Sequence, residues 1–295
     1  MNKFKKIGLT ALAGSLVATS AFAGGLSATG AASIGVSNIT GTADPSTGKD
    51  WSMANSVTLA GSGELDNGMT VSVSFELDAG VDTGTGTGPF DSHSVSVSSD
   101  AMGTLKFSGH GGSSAQSAMD GTAAGDIWNN TLGITGISAA AAGNDSLYYT
   151  LPEVMDGLAI TASMSPGRAA QETHTSFGLV YTGYDGLTLK YGNGDSGTPS
   201  AEIESTTMMA SYAIGSLTVG VSQTEADKTG AANRQVDAFQ IAYTVTDDIS
   251  VTYGNETFDL TGNATDEEVE AIGVSYTSGG MTISANQYEA KGAGN

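Results

Sequence analysis

Period-two alternation constrains this chain more than any other feature of it. From Leu26 onward, Leu26, Ala28, Gly30, Ala32, Ile34 and Val36 fall on one face of an extended segment, with Ser27, Thr29, Ser33 and Ser37 on the other. Successive strand side chains point to opposite sides, so this pattern fits a sheet with one apolar and one polar surface. After a Gly/Pro/Asp-rich interruption at 41–50, Met53, Val57 and Leu59 resume it. Leu65-Asp66-Asn67-Gly68 then precedes Met69, Val71, Val73, Phe75 and Leu77, which alternate with Thr70, Ser72, Ser74, Glu76 and Asp78. Asn-Gly between alternating segments is the strongest short-range hairpin signal.

The same unit recurs down the chain. Segments 92–98 and 104–110 form one pair and 147–151 and 158–164 another. In the second half, short turns join 175–183 to 187–191, 206–212 to 217–221, 239–245 to 249–253 and 272–276 to 281–285. Between those pairs, 192–203, 223–233 and 254–265 read as loops near ten residues. Short and long connections in alternation predict an all-β fold, an antiparallel up-and-down β-barrel with tight turns at one end and long loops at the other. Tyr181, Tyr212, Tyr243 and Tyr276 sit on the apolar phase just before short turns, and Tyr191 and Tyr253 on the apolar phase of return strands. Two rows of amphipathic rings match the aromatic girdles of a barrel that crosses a membrane. The alternative is a soluble sandwich or solenoid in which tyrosine is strand filler. No Gly-Gly-x-Gly-x-Asp repeat supports a calcium-binding solenoid.

One stretch breaks the rhythm. Residues 111–145 show no sustained alternation, only Gly, Ala, Ser and Asn with Asp120, Asp126, Trp128 and Asp145 among them. An irregular segment this long inside a compact domain is uncommon and points to function or disorder. It is expected to fold into the mouth of the tube.

The first 23 residues read as a secretory signal: Lys3, Lys5 and Lys6, an apolar core over 7–18, and Ala21-Phe22-Ala23 as an A-x-A cleavage site. Cleavage after Ala23 removes three of 10 Lys+Arg and none of 31 Asp+Glu, leaving a net charge of 7 − 31 = −24. Such a field repels nucleic acid and attracts cations. The chain has no cysteine, so disulfides and thiolate metal sites are excluded, and His93, His110 and His174 lack zinc spacing.

About fifteen strands can be counted from Leu26, whereas bacterial single-chain barrels have even strand numbers. The pattern resembles the sixteen-stranded general diffusion porins of the alphaproteobacterial, Rhodobacter-like type. The likeness is most specific at Gly103-Thr104-Leu105-Lys106-Phe107-Ser108-Gly109, entering the long loop, and at Leu147-Tyr148-Tyr149-Thr150 with Leu158-Ala159-Ile160-Thr161-Ala162-Ser163-Met164-Ser165-Pro166-Gly167, leaving it. That resemblance implies a homotrimeric Gram-negative outer-membrane channel with 111–145 as its constriction loop. It also implies a closing strand ending in Phe, which this sequence lacks, so a C-terminus short of roughly one strand, about ten residues, is expected. The family's arginine cluster on the pore wall is missing too, since the mature chain carries only Arg168 and Arg234.

By strand parity, Glu76, Lys106, His110 and Lys190 face the lumen, and Arg234 enters its strand on the same phase. Asp120 and Asp126 are the expected constriction carboxylates. Glu76 and Lys106, in neighbouring strand pairs, would set a transverse field. A catalytic reading finds only His110 near Ser113 and Ser114, which supplies no oriented triad. Acidic clusters at Asp44, Asp247-Asp248 and Asp266-Glu267-Glu268 suit loosely bound calcium, with no spacing that marks a site. The small side chains on the apolar phase of 26–36 suit a protein contact better than lipid. The expectation is a non-enzymatic, cation-preferring diffusion channel for small hydrophilic solutes, in contact with outer-membrane lipid and lipopolysaccharide. The alternative is a secreted or surface-layer β protein that binds calcium or glycans and forms no pore.

Overall fold

The computed structural model describes residues 14–16, 25–39, 48–78, 90–129, 134, 136–137, 139–141, 144–167, 172–230, 232–260 and 266–292. Asp44, Pro45, Pro89 and Arg168 lie outside these. A single antiparallel sheet runs in sequence order. Its first half comprises β1 (Gly14–Leu16), β2 (Leu26–Ile39), β3 (Gly48–Glu64), β4 (Thr70–Asp78), β5 (Ser92–Ser99), β6 (Gly103–His110), β7 (Ser146–Thr150) and β8 (Leu158–Ser165). The second half comprises β9 (His174–Tyr181), β10 (Leu187–Thr198), β11 (Ala201–Ile214), β12 (Leu217–Lys228), β13 (Arg234–Thr244), β14 (Ile249–Leu260), β15 (Glu267–Ser278) and β16 (Met281–Lys291). Fifteen of these, β2 to β16, follow the expected signal, while β1 lies within it and pairs Gly14–Leu16 with β2. Among the described residues, no ladder joins β16 to β1 or β2.

Register confirms the two faces. On β12 and β13, Val219 lies opposite Ile241 and Val221 opposite Phe239, all exposed on the outward phase. Ser222 and Ala238, also opposite one another, are buried on the inward phase. The outward phase carries the aromatic rows: Phe177 meets Tyr191 diagonally across the strands, and Phe239 meets Tyr253, each pair tilted with ring centroids 5.7 Å apart. Tyr212, Tyr243 and Tyr276 form the row nearer the short turns.

The long loops expected in the second half are mostly strand. β10 continues through Thr198 and β11 begins at Ala201, so 199–200 is all that connects them. β12 likewise extends to Lys228 and β14 to Leu260. Apolar alternation stops where a strand leaves the hydrocarbon layer, but the backbone ladder does not. Beyond the girdle the outward positions become the acidic residues Asp195, Glu204, Glu225, Asp237 and Glu270.

The hydrophobic core lies inside the tube rather than between layers. Ala123, Ala124, Ile127 and Ile134 of the irregular segment pack on Val236, Ala238, Phe258, Val269 and Ala271 of β13, β14 and β15. Trp128 meets Phe258 edge-on, with ring centroids 6.3 Å apart. Fully burying Phe258 or Val269 contributes roughly 1.5–3 kcal/mol each. These apolar residues occupy an inward phase that alternation alone would assign to polar side chains.

Candidate functional site

The described residues of 111–145 leave β6 and run along the inner wall. Their path is fixed by hydroxyls on the inward phase of successive strands. The Ala115 N–H donates to Ser163 Oγ of β8 and Ser176 Oγ of β9, both at 2.9 Å. Gln116 Nε2 donates to Thr207 Oγ1 of β11 at 3.0 Å, and its Oε1 accepts from the Ala140 N–H at 2.8 Å. The Ala123 N–H reaches Ser222 Oγ of β12 at 2.7 Å, and Gln240 Nε2 of β13 reaches the Ala124 carbonyl at 3.2 Å. One short segment therefore touches strands from β8 to β15, which neighbouring strands about 4.8 Å apart permit only if the sheet curves around it.

Glycines on the wall leave room for this. A Cβ at Gly178 would lie 2.7 Å from the Ala115 carbonyl oxygen, and one at Gly192 3.1 Å from the Gln116 Cα.

The segment's turn is held by carboxylates. Thr122 and Asp126 cap each other, the Thr122 N–H donating to Asp126 Oδ1 at 2.9 Å and the Asp126 N–H to Thr122 Oγ1 at 2.8 Å. Asp126 adopts a left-handed φ of 54°, which Asp tolerates better than most residues. A short 3-10 turn, Ile127–Asn129, follows. Its first N–H groups point at Glu256 of β14: Ile127 N to Oε1 at 3.0 Å and Trp128 N to Oε2 at 2.8 Å. The Thr122 hydroxyl also donates to Glu256 Oε1. Glu256 is fully buried beneath the loop. Asp120 is half-buried; burial first, and the Asp126 carboxylate second, raise its pKa from 3.8 to about 6.

The expected site residues separate into four groups. Asp120 and Asp126 lie together on the inward segment. Glu76 and Lys106 lie on the inward phase of β4 and β6; Glu76 accepts from Ser92 Oγ at 3.1 Å, and Lys106 is exposed opposite Ser96 and Tyr148. Lys190 occupies the same phase on β10. His110, at the loop's entrance, donates from Nδ1 to the Asp91 carbonyl and stacks on His93, ring centroids 6.5 Å apart. Arg234 is occupied rather than free: Nη2 donates to Glu267 Oε2 at 2.7 Å, and its guanidinium lies 5.1 Å from the Phe258 ring centroid. Opposite the loop, the wall of β2–β5 is rich in hydroxyls, with Ser27, Ser62, Ser72, Ser74, Ser94 and Ser96 lining a hollow of about 320 Å3.

Glu256 and Gln116 escaped the sequence reading. A signal for Glu256 is present: Ser250, Thr252, Gly254 and Glu256 share the polar phase of the strand beginning at Ile249 and carry it into the stretch read as a loop.

The family model for Gram-negative porins matches residues 8–294. Among curated proteins, no sequence matches. Among solved structures, a mutant porin of Rh. blastica aligns at 15% identity and a TM-score of 0.66, covering 89% of this chain and 94% of its own. The anion-selective porin from Comamonas acidovorans aligns at 14% identity and 0.64, covering 90% and 88%. Salmonella typhi OmpF, in complex with daunomycin, aligns at 11% and 0.68, covering 90% of each. At these identities the structures establish the fold and the family model establishes the membership. The alternative of a secreted protein without a pore falls away with it. The chain belongs to the Gram-negative porin family, β-barrel channels of the outer membrane through which solutes diffuse passively.

Proposed function

We propose that this porin is a cation-preferring, non-specific channel for small hydrophilic solutes, narrowed by 111–145. The observation that carries the reading is the charge balance at the narrowing. Asp120 and Asp126 sit on the inward segment, while Arg234 is neutralised by Glu267 at 2.7 Å. Among the described residues, no ion pair ties Lys106 or Lys190 to Asp120 or Asp126. Selectivity set by rings of charged side chains then favours cations. The fold does not decide this, since an anion-selective porin shares it.

The reading includes export by cleavage after Ala23 and assembly as a homotrimer through the outward face of β2 and β3. There Ile34, Val36, Trp51 and Met53 are exposed beside Ala28, Gly30 and Ala32. It includes no resident cofactor. Calcium would be held loosely at most, between rim carboxylates and lipopolysaccharide phosphate.

Reversal potential across a potassium chloride gradient in a planar bilayer tests the preference. The expected sign is that of a cation-selective pore; an anion-selective value overturns the charge argument. Deleting residues within 111–145 should raise conductance, which tests the narrowing itself.

A further inference from the structure

We infer that Glu256 is the positioning residue that seats the constriction segment and so sets the channel's width. The inference rests on the reading that this segment narrows the lumen. Most contacts between loop and wall are between neutral groups: backbone N–H or amide to a serine or threonine hydroxyl. Glu256 is different in three ways.

It is fully buried on the inward phase of β14. Both its oxygens accept, taking Ile127 N at 3.0 Å, Trp128 N at 2.8 Å and the Thr122 hydroxyl. Two of those donors are N–H groups at the start of the 3-10 turn, which a helical ladder leaves unsatisfied. Removing the acceptor takes the partner from three donors in a dry place, which costs the full desolvation penalty of each. The same turn carries Asp126, whose Oδ1 accepts from the Thr122 N–H. The apolar core of Ile127, Trp128 and Phe258 surrounds the contact and keeps water out.

Glutamine is the sharpest substitution. It keeps the shape but replaces one acceptor oxygen by an NH2 that faces an N–H donor. Glu256→Gln and Glu256→Ala should unseat the turn, raising single-channel conductance by roughly 1.5-fold or more and adding open-channel current noise.

A staple distinguishes positioning from general loss of fold. The chain has no cysteine. A Cβ at Gly220 of β12 would lie 3.5 Å from the Ala123 Cβ, at the near edge of the disulfide range. Ala123→Cys with Gly220→Cys, added to Glu256→Gln, should return conductance and noise to wild-type values when oxidised and release them on reduction. The same folded channel is thus read twice, whether or not Glu256→Ala assembles.

Wild-type conductance and noise in Glu256→Gln, with a raised conductance in the loop deletion, overturns the role of Glu256 and leaves the narrowing intact. Unchanged conductance in both overturns the narrowing as well. A stapled channel indifferent to reduction also counts against the role of Glu256.

Discussion

At the scale of single residues, the lumen's chemistry is decided by how each charge is already engaged. Arg234 and Glu267 cancel each other, and Asp126 spends one oxygen on the Thr122 N–H. Asp120 remains, and its environment makes it the titrating group of interest. Burial and the Asp126 charge raise it to about 6, so it takes up a proton as pH falls through that value. An unperturbed carboxylate, with a pKa of about 4, is still ionised there. The loop thus loses negative charge on acidification, and cation preference should decline between about pH 7 and 5. Asp120→Asn should remove that step and lower the preference at neutral pH. Reversal potentials measured across the pH series check both, and a profile flat in the wild type would contradict the assignment.

At the scale of elements, the wall and the loop are matched surfaces. Gly178 of β9 faces the Ala115 carbonyl so closely that any side chain must push the loop inward. Gly178→Val should therefore lower single-channel conductance, the opposite sign to the loop deletion, with the folded barrel still formed. Strands were legible in the sequence where lipid demands alternation, as in Phe239, Ile241 and Tyr243 against Ala238, Gln240 and Ala242. They were illegible where water takes over: Asn193, Asp195, Gly197 and Glu202 look like loop, yet lie in an unbroken ladder between β10 and β11. The start of the constriction segment was legible because its pattern failed after His110. Its seat was not, because Val236, Phe258 and Val269 break the polar phase only in the presence of a loop that no local pattern announces.

At the scale of the whole molecule, the two faces answer to different solvents. Ile241 points outward from β13 within the apolar band, while Thr218, near it on β12, points inward. Ile241→Arg should cost about 2–4 kcal/mol of folding stability if it lies near the bilayer midplane. Thr218→Arg, facing water, should cost far less. Urea titration of folding into lipid vesicles separates the two, and equal costs would contradict the assigned faces. The contact between Thr122 and Glu256 spans 134 residues of chain. Chain closure over such separations is slow compared with pairing adjacent hairpins. The wall that receives the turn exists only once β14 has joined the sheet. The barrel's aperture is therefore a late product of assembly: a chain halted before β14 holds the narrowing segment but has nowhere to seat its turn.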